Sequence, residues 1–174
     1  MLSVDEAIRT LLDQARCLTG SVKCSLSGAL GRTLSADVVA TIDVPPADNS
    51  AMDGYALRHA DWVGAEEALP LSQRITAGSV PAELARGTAA RIFTGAEVPT
   101  GADTVVMQEH CEGTAEAVCI RQLPAPGANI RRQGQDITRG QHVLSAGQRL
   151  RPQDLGLAAS LGCASVSVYR RLKV

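Results

Sequence analysis

The sequence is poor in aromatic side chains, in net charge, in paired cysteines and in long apolar runs. Aromatic residues make up only 2% of the 174-residue chain, which argues against a stacking platform for single-stranded nucleic acid. The formal net charge is −1, so no strong overall field attracts nucleic acid or an acidic membrane. We therefore predict neither a nucleic-acid partner nor a membrane partner.

The sequence also lacks the motifs of redox and zinc sites and the common nucleotide-binding and hydrolase motifs. The five cysteines form no C-x-x-C pair and no zinc-ligand spacing. Because no signal peptide or long apolar segment is found, we interpret them as reduced thiols of a cytoplasmic protein. The three histidines show no metal-ligand spacing, and a P-loop, a G-x-G-x-x-G turn and a Ser-His-Asp elbow are absent from the sequence.

The first 35 residues have a helical pattern. Ser3 and Glu6 match a capping box, and apolar residues at helical spacing follow until Gly20. We expect part of this apolar stripe to face the core of the chain itself. The stretch "SGALGRTLS" (27–35) predicts a second, short helix, although it contains two glycines.

The middle of the chain has the texture of strands. Between Asp43 and Gln135, short apolar or alternating runs are separated by Gly, Pro and Asp. After a further strand pattern, Pro152 and Gly162 are placed to begin and end a helix, and "SVSVYR" predicts a last strand. The pattern predicts an α+β fold, in which an irregular, mostly-β domain (44–136) is inserted into a discontinuous α+β domain (1–43 and 137–174).

The stretch "DNSAMDGYA" (48–56) concentrates polar side chains among small residues, directly after "DVPP". The two prolines favour an extended or turn conformation over a helix. Asp, Asn, Ser and Gly are common turn residues, so an ordinary hairpin turn explains the stretch. The same carboxylates beside small residues equally suit an anion or metal site, and the spacing alone leaves both interpretations open.

Two later stretches allow a similar pair of interpretations. "RIFTGAEVPTGADTVVMQE" contains Thr94-Gly95 and Thr100-Gly101, where a hydroxyl and backbone N–H groups could hold an oxyanion or form plain loops. In "GANIRRQGQDI", two arginines precede Asp136. This arrangement suits phosphate binding with metal ligation or a surface ion pair in a hairpin.

Taken together and in order, these stretches and "LRPQDLGLAASLGCASVSVYRR" resemble the amino-terminal half of the molybdopterin molybdenumtransferase (MoeA) family, which includes the carboxy-terminal part of gephyrin. The resemblance implies an enzyme that inserts molybdenum from molybdate into adenylylated molybdopterin and releases AMP in a Mg²⁺-dependent step. It also implies a homodimer with shared active sites. The alternative is a non-catalytic dimerisation or scaffold module of a gephyrin-like protein.

The resemblance implies which residues form the site. The matched catalytic positions are Asp53, Thr94 and Asp136. The matched substrate-binding positions are Asp48, Asn49, Ser50, Gly95 and Arg131. It does not say which carboxylates hold the metal, and the presence of all three catalytic positions favours the enzyme over the scaffold.

The resemblance covers the first two domains of the family. Full-length members continue into an α/β domain with a T-G-D-E motif and then into a small β-domain. We therefore interpret the chain end at "RRLKV" as a cut, and we expect these 174 residues alone to be inactive.

Overall fold

The computed structural model describes residues 3–15 and 19–172. Its backbone contacts separate two compact units, Met1–Val39 with His142–Val174 and Ala40–Gln141. The helices and strands of the described residues are α1 (Val4–Gln14), β1 (Ser21–Ser25), β2 (Val38–Val39), β3 (Asn49–Ser50), β4 (Gly54–Leu57), β5 (Ala68–Ile75), β6 (Ala89–Ile92), β7 (Thr104–Met107), β8 (Cys111–Gly113), β9 (Ala117–Ile120), β10 (Ile130–Arg131), β11 (His142–Leu144), α2 (Pro152–Ser160) and β12 (Ser165–Tyr169). The predicted α+β class is confirmed.

Helix α1 begins as the sequence predicts. The Glu6 backbone N–H donates to the Ser3 hydroxyl oxygen (3.3 Å), and the Ser3 N–H donates to the Glu6 carboxylate (2.8 Å). The expectation that its apolar stripe partly faces the core is wrong, because α1 has no buried residue. Val4, Ile8, Leu11 and Leu12 are 49–75% exposed.

The rest of the first unit packs around two antiparallel pairs of strands. β1 pairs with β12, and β2 pairs with β11. Helix α2 begins at Pro152 and is followed by Gly162, whose φ of 76° is left-handed, as predicted. The core side chains of this unit include Leu34, Leu150, Leu161 and Val168, which are at most 1% exposed.

The predicted helix at 27–35 is wrong. Only a three-residue 3₁₀ turn forms, at Leu26–Gly28. Gly31 then takes a left-handed φ of 71°, which interrupts a right-handed helix. Beyond it, Thr33 and Leu34 form bridges to Arg149 and Val168, so pairing with distant strands replaces the local helix.

The second unit is built on a six-stranded sheet with the order β7-β4-β6-β5-β9-β8. Neighbouring strands are antiparallel except β5 and β6, which are parallel. Apolar clusters cover both faces, one around Tyr55 and Leu57 and the other around Ala56 and Ile92. All four residues of β4 are therefore buried, which makes this strand a rigid support for the residues at its start.

The structure also bears on two features of the sequence, its lack of long apolar segments and its cysteines. None of the helices in the described residues is long and apolar enough to cross a membrane. Cys24, Cys111, Cys119 and Cys163 are free thiols, and Cys17 lies outside the described residues. Burial raises the pKa of Cys111 to about 11, so this thiol is a weak nucleophile at neutral pH.

Candidate active site

Asp53 and Thr94 meet at one end of the central strands. Gly54 of β4 lies opposite Ile92 of β6, so the residue before β4 and the residues after β6 emerge together. The backbone N–H and the hydroxyl of Thr94 both donate to Oδ1 of Asp53, each at 2.7 Å. The structure thus brings two of the three predicted catalytic residues into direct contact.

The hydrogen bonds from Thr94 favour the ionised form of Asp53. They lower the pKa of the carboxyl, the backbone N–H more than the hydroxyl, and the positive charge of Arg91 adds to the effect. Asp53 is exposed and ionised at neutral pH. Its Oδ1 is occupied, whereas its Oδ2 accepts no hydrogen bond from any residue that the structure describes. This oxygen is therefore available to a ligand.

Arg91 fixes the backbone that carries Asp53, a role that the sequence did not reveal. Its guanidinium donates to the Gly54 carbonyl (2.9 Å) and to Oε1 of Gln108 (2.6 Å). The Gln108 backbone N–H donates in turn to the carbonyl of Asp53 (3.0 Å). An arginine on a buried strand, three residues before Thr94, was the available signal.

Gly54 allows the close packing of β4 on β7. A Cβ added at this position would overlap the carbonyl oxygen of Val106 and lie 2.8 Å from its carbon. No side chain larger than hydrogen fits there without moving a strand. The glycine after Asp53 is thus required by the sheet, and it holds Asp53 at the sheet edge.

Backbone hydrogen bonds between Ser50 and Gly95 connect the segment before Asp53 to the loop that follows β6. The Gly95 N–H donates to the Ser50 carbonyl (2.8 Å), and the Ser50 N–H donates to the carbonyl of Ala96 (2.9 Å). Ser50 is only 1% exposed, and its hydroxyl donates to the Met52 carbonyl at 2.6 Å. The hydroxyl of Ser50 therefore shapes the turn that leads to Asp53.

Strand pairing and an ion pair link three other predicted site residues, Asn49, Arg131 and Asp136. β10 pairs with β3 and places Arg131 opposite Asn49. The Arg131 guanidinium donates to Oδ2 of Asp136 at 2.5 Å, and both side chains are about half exposed. A surface pair of this kind contributes little to stability, so both groups remain accessible to a ligand.

Asp48 anchors the loop that carries Asp136. Its two oxygens accept from the Arg132 guanidinium (2.6 Å) and from the Gln133 N–H (2.8 Å). Partial burial raises the pKa of Asp48, but these hydrogen bonds outweigh it and the net pKa is lowered. The amide of Gln133 also reaches Oδ2 of Asp43 (2.9 Å). Gln133, which the sequence did not single out, thus ties two carboxylates to one loop.

All eight predicted site residues lie in the second unit, but they do not form a metal centre by themselves. Across residues 3–15 and 19–172, no three His, Cys, Asp or Glu side chains come together as a metal site. The individual catalytic and binding roles stay predictions.

Comparison with known proteins identifies the family. Residues 2–162 match the family described as MoeA N-terminal region (domain I and II). The chain belongs to this family. The resemblance that the sequence motifs indicated is therefore confirmed.

Named relatives match along the whole chain. Molybdopterin molybdenumtransferase 2 of Mycobacterium tuberculosis is 43% identical over 100% of this chain and 44% of its own length. Molybdopterin molybdenumtransferase of Haemophilus influenzae is 40% identical over 100% of this chain and 43% of its own length. The crystal structure of the molybdopterin biosynthesis moeA protein from Pyrococcus horikoshii OT3 is 36% identical, with a TM-score of 0.84 over 94% of this chain and 45% of that protein. The chain spans less than half the length of these relatives.

Proposed function

We propose that a protein containing this chain inserts molybdenum from molybdate into adenylylated molybdopterin and releases AMP, in molybdenum cofactor biosynthesis. The main support is the similarity over the full chain to relatives named molybdopterin molybdenumtransferase. The exposed, ionised carboxylate of Asp53 suits this chemistry, because a fixed carboxylate can hold a cation that neutralises the charge on the phosphate oxygens, or can orient a water. A cytoplasmic location is part of the same proposal.

We assign Asp53 to the reacting groups. Thr94 holds one carboxylate oxygen and thereby orients the other toward a ligand. Mg²⁺ is commonly bound by one or two carboxylates together with substrate phosphates and water, so Oδ2 of Asp53 fits as a single protein ligand. When bound, the cation would neutralise charge on the phosphate oxygens.

The remaining predicted residues are assigned to substrate binding and support. Asp136 and Arg131 are half exposed and paired, so an incoming anion can compete with the carboxylate for the guanidinium. The backbone N–H of Gly95 is bonded to Ser50, and its contribution is the shape of the loop after Thr94. Asn49 lies in the same short strand as Ser50.

We also propose that the protein is a homodimer that uses α1 as part of its interface. The exposed leucines Leu11 and Leu12, 71% and 67% exposed, form an apolar stripe with Val4 and Ile8 that no described part of the chain covers. Apolar stripes of this kind often mark contacts between subunits. Leu11→Lys should convert a dimer to a monomer in sedimentation equilibrium without altering the fold. A dimeric Leu11→Lys variant would contradict this assignment.

The proposed reaction is tested in the full-length enzyme with Asp53→Asn. Asparagine keeps the size of the side chain and removes its charge, so AMP release at saturating Mg²⁺ should fall about a hundredfold or more. Glu83→Gln is the matched control, because Glu83 is exposed and outside the site and its change removes the same charge. An Asp53→Asn rate within about threefold of the control would contradict the assignment of Asp53 to the reacting groups, whereas absence of AMP release by the unmodified full-length protein would support the scaffold alternative.

The 174-residue chain should release no AMP alone, because the family resemblance assigns most pterin contacts to the α/β domain of full-length members, which these residues do not include. Incubation of the chain with adenylylated molybdopterin, molybdate and Mg²⁺ tests this. Release of AMP above the rate without protein would show that these residues suffice.

A further inference from the structure

A second polar feature lies beside the Asp53–Thr94 pair, in a cavity of about 370 Å³ on one face of the six-stranded sheet. Its lining includes Tyr55, Ser72, Arg74, Arg91 and Thr114, and none of the described residues that line it is acidic. The volume is at the lower end of the range of small-molecule sites. The cavity is therefore large enough for a charged group of a substrate.

The strand register places two arginines side by side. Arg74 of β5 is the direct partner of Arg91 of β6, and Arg91 is the direct partner of Tyr55 of β4. Directly paired residues on neighbouring strands project from the same face of a sheet. Like charges in this arrangement destabilise a sheet unless another group compensates them.

Aromatic rings hold both guanidinium groups in place. The guanidinium carbons of Arg74 and Arg91 lie 4.9 and 4.7 Å from the centroid of the Phe93 ring, and that of Arg91 lies 5.0 Å from the Tyr55 ring. The two charges are thus no more than about 10 Å apart, close to the screening length at physiological salt. The rings orient the cations but leave their positive charge in the cavity.

Neither arginine forms an ion pair with a carboxylate among the residues that the structure describes, although Arg91 is near enough to Asp53 for its charge to act on that carboxyl. Arg91 uses its donors on the Gly54 carbonyl and the Gln108 amide oxygen, which are uncharged. Arg74 is exposed, and its guanidinium makes a cation–π contact with the Phe93 ring. Arg74 therefore has no ionic partner among the described residues, and an anion would supply one.

We propose that Arg74 and Arg91 form a subsite for a tetrahedral oxyanion, with Arg74 as the group that binds it and Arg91 as the fixed positive charge beside it. Guanidinium groups are suited to oxyanions because they present parallel N–H donors. The subsite adjoins the candidate active site on both strands, since Phe93 precedes Thr94 and Tyr55 follows Asp53-Gly54. This inference rests on the proposed function, whose substrates contain two such groups, the phosphates of the adenylylated pterin and molybdate.

The proposal is tested by binding, without turnover. The 174-residue chain is titrated at low ionic strength with inorganic pyrophosphate and, separately, with molybdate, and the side-chain N–H signals of arginine are followed by NMR. Saturable shifts at Arg74 or Arg91 are expected with at least one probe. Tighter binding of pyrophosphate indicates the phosphates as the natural occupant, and tighter binding of molybdate indicates the metal oxyanion.

Three variants separate a built subsite from general positive charge. Arg74→Gln should weaken binding about tenfold, the loss expected for one charge-assisted hydrogen bond, and Arg74→Lys should weaken it less. Arg86→Gln is the matched control, because Arg86 is exposed in the same unit and outside the cavity lining; its affinity should stay within about twofold. Backbone NMR spectra of each variant check that the fold is unchanged.

Two results would overturn the subsite. One is equal weakening by Arg74→Gln and Arg86→Gln, and the other is no saturable binding of either probe below about 10 mM, the range of very weak affinity. Both are independent of AMP release by the full-length enzyme. A failed subsite and a failed reaction are therefore distinguishable.

Discussion

Replacing Gly54 with alanine places a methyl group against the backbone of β7, directly beside Asp53. The added carbon would lie 2.8 Å from the Val106 carbonyl carbon and 3.2 Å from the Met107 Cα, and closer still to the Val106 oxygen. Carbon atoms in favourable contact are about 3.5–4.0 Å apart, and the Val106 oxygen would lie well inside the van der Waals radius of the added carbon, so β4 and β7 must separate by about 1 Å or more. Because both strands are buried in the middle of packed clusters, they cannot move without disturbing other contacts.

The cost follows from two terms. Overpacking a well-packed site costs about 1–3 kcal/mol. The separation also weakens the neighbouring backbone hydrogen bond from Gln108 to Asp53, now 3.0 Å long, and such a bond contributes about 0.5–1.5 kcal/mol. We expect Gly54→Ala to lower the free energy of unfolding of the second unit by about 3 kcal/mol, a large part of a typical 5–15 kcal/mol.

The single tryptophan of the chain reports on this unit. Trp62 packs against the apolar cluster of the sheet, and its indole N–H donates to the Ile120 carbonyl at 3.2 Å. Its fluorescence during urea unfolding should show a midpoint about 1.5 M lower in Gly54→Ala, for a slope of about 2 kcal/mol per M. Gly64→Ala is the control, since an added Cβ there meets no atom within 4 Å. A Gly54→Ala midpoint within about 0.3 M of wild type would refute the steric argument.

Three further predictions concern charged groups. Thr94→Val removes one of two donors to Asp53, so the Asp53 pKa should rise toward its ordinary value in a carboxyl NMR titration; an unchanged pKa would contradict the assigned cause. The lowered pKa of Asp48 means that its stabilising contacts are complete above its ordinary pKa of 3.8 and are lost as the pH falls below that value through the folded-state pKa. The Gln133 amide signal should follow this titration, and should not do so in Asp48→Asn. Arg121→Gln breaks two exposed ion pairs and should cost about 1 kcal/mol or less in the urea assay; a larger loss would indicate that these pairs act as a network.

Local signals with a local physical cause predicted structure well. The capping box of Ser3 and Glu6 forms because both donors and acceptors lie within one turn. Pro152 and Gly162 bound α2 because proline lacks the N–H that the first turn does not use, and glycine adopts a left-handed conformation after the last turn. These signals need no information from the rest of the chain.

Features that depend on distant strands could not be obtained from periodicity. The stretch 27–35 contains apolar residues at helical spacing, but Leu34 instead forms a β-bridge with Val168, more than a hundred residues away in the sequence. The apolar stripe of α1 likewise predicted a helix correctly but not what covers it. Tertiary pairing overrides weak local preference in the first case, and in the second no local rule identifies the partner.

The candidate site shows the same division. Family motifs drew attention to Asp53 and Thr94, but their contact depends on the register of β4 against β6. Arg91 and Gln133 are ordinary polar residues in the sequence, and they gain their positions only when strands and loops far apart in the chain pair. Motifs identify which residues take part, whereas the sheet determines which of them touch.

The two interpretations of "DNSAMDGYA", a turn and a ligand site, each describe part of the observed structure. Ser50 performs turn chemistry, since its buried hydroxyl bonds to the Met52 carbonyl and reverses the chain. Gly54 performs packing, since only glycine lets β4 approach β7. Asp53 lies between them with one oxygen held by Thr94 and the other without a partner among the described residues. A turn on one side and a close strand contact on the other fix the carboxylate at the sheet edge, and that is why turn residues and a ligand site occupy the same nine positions.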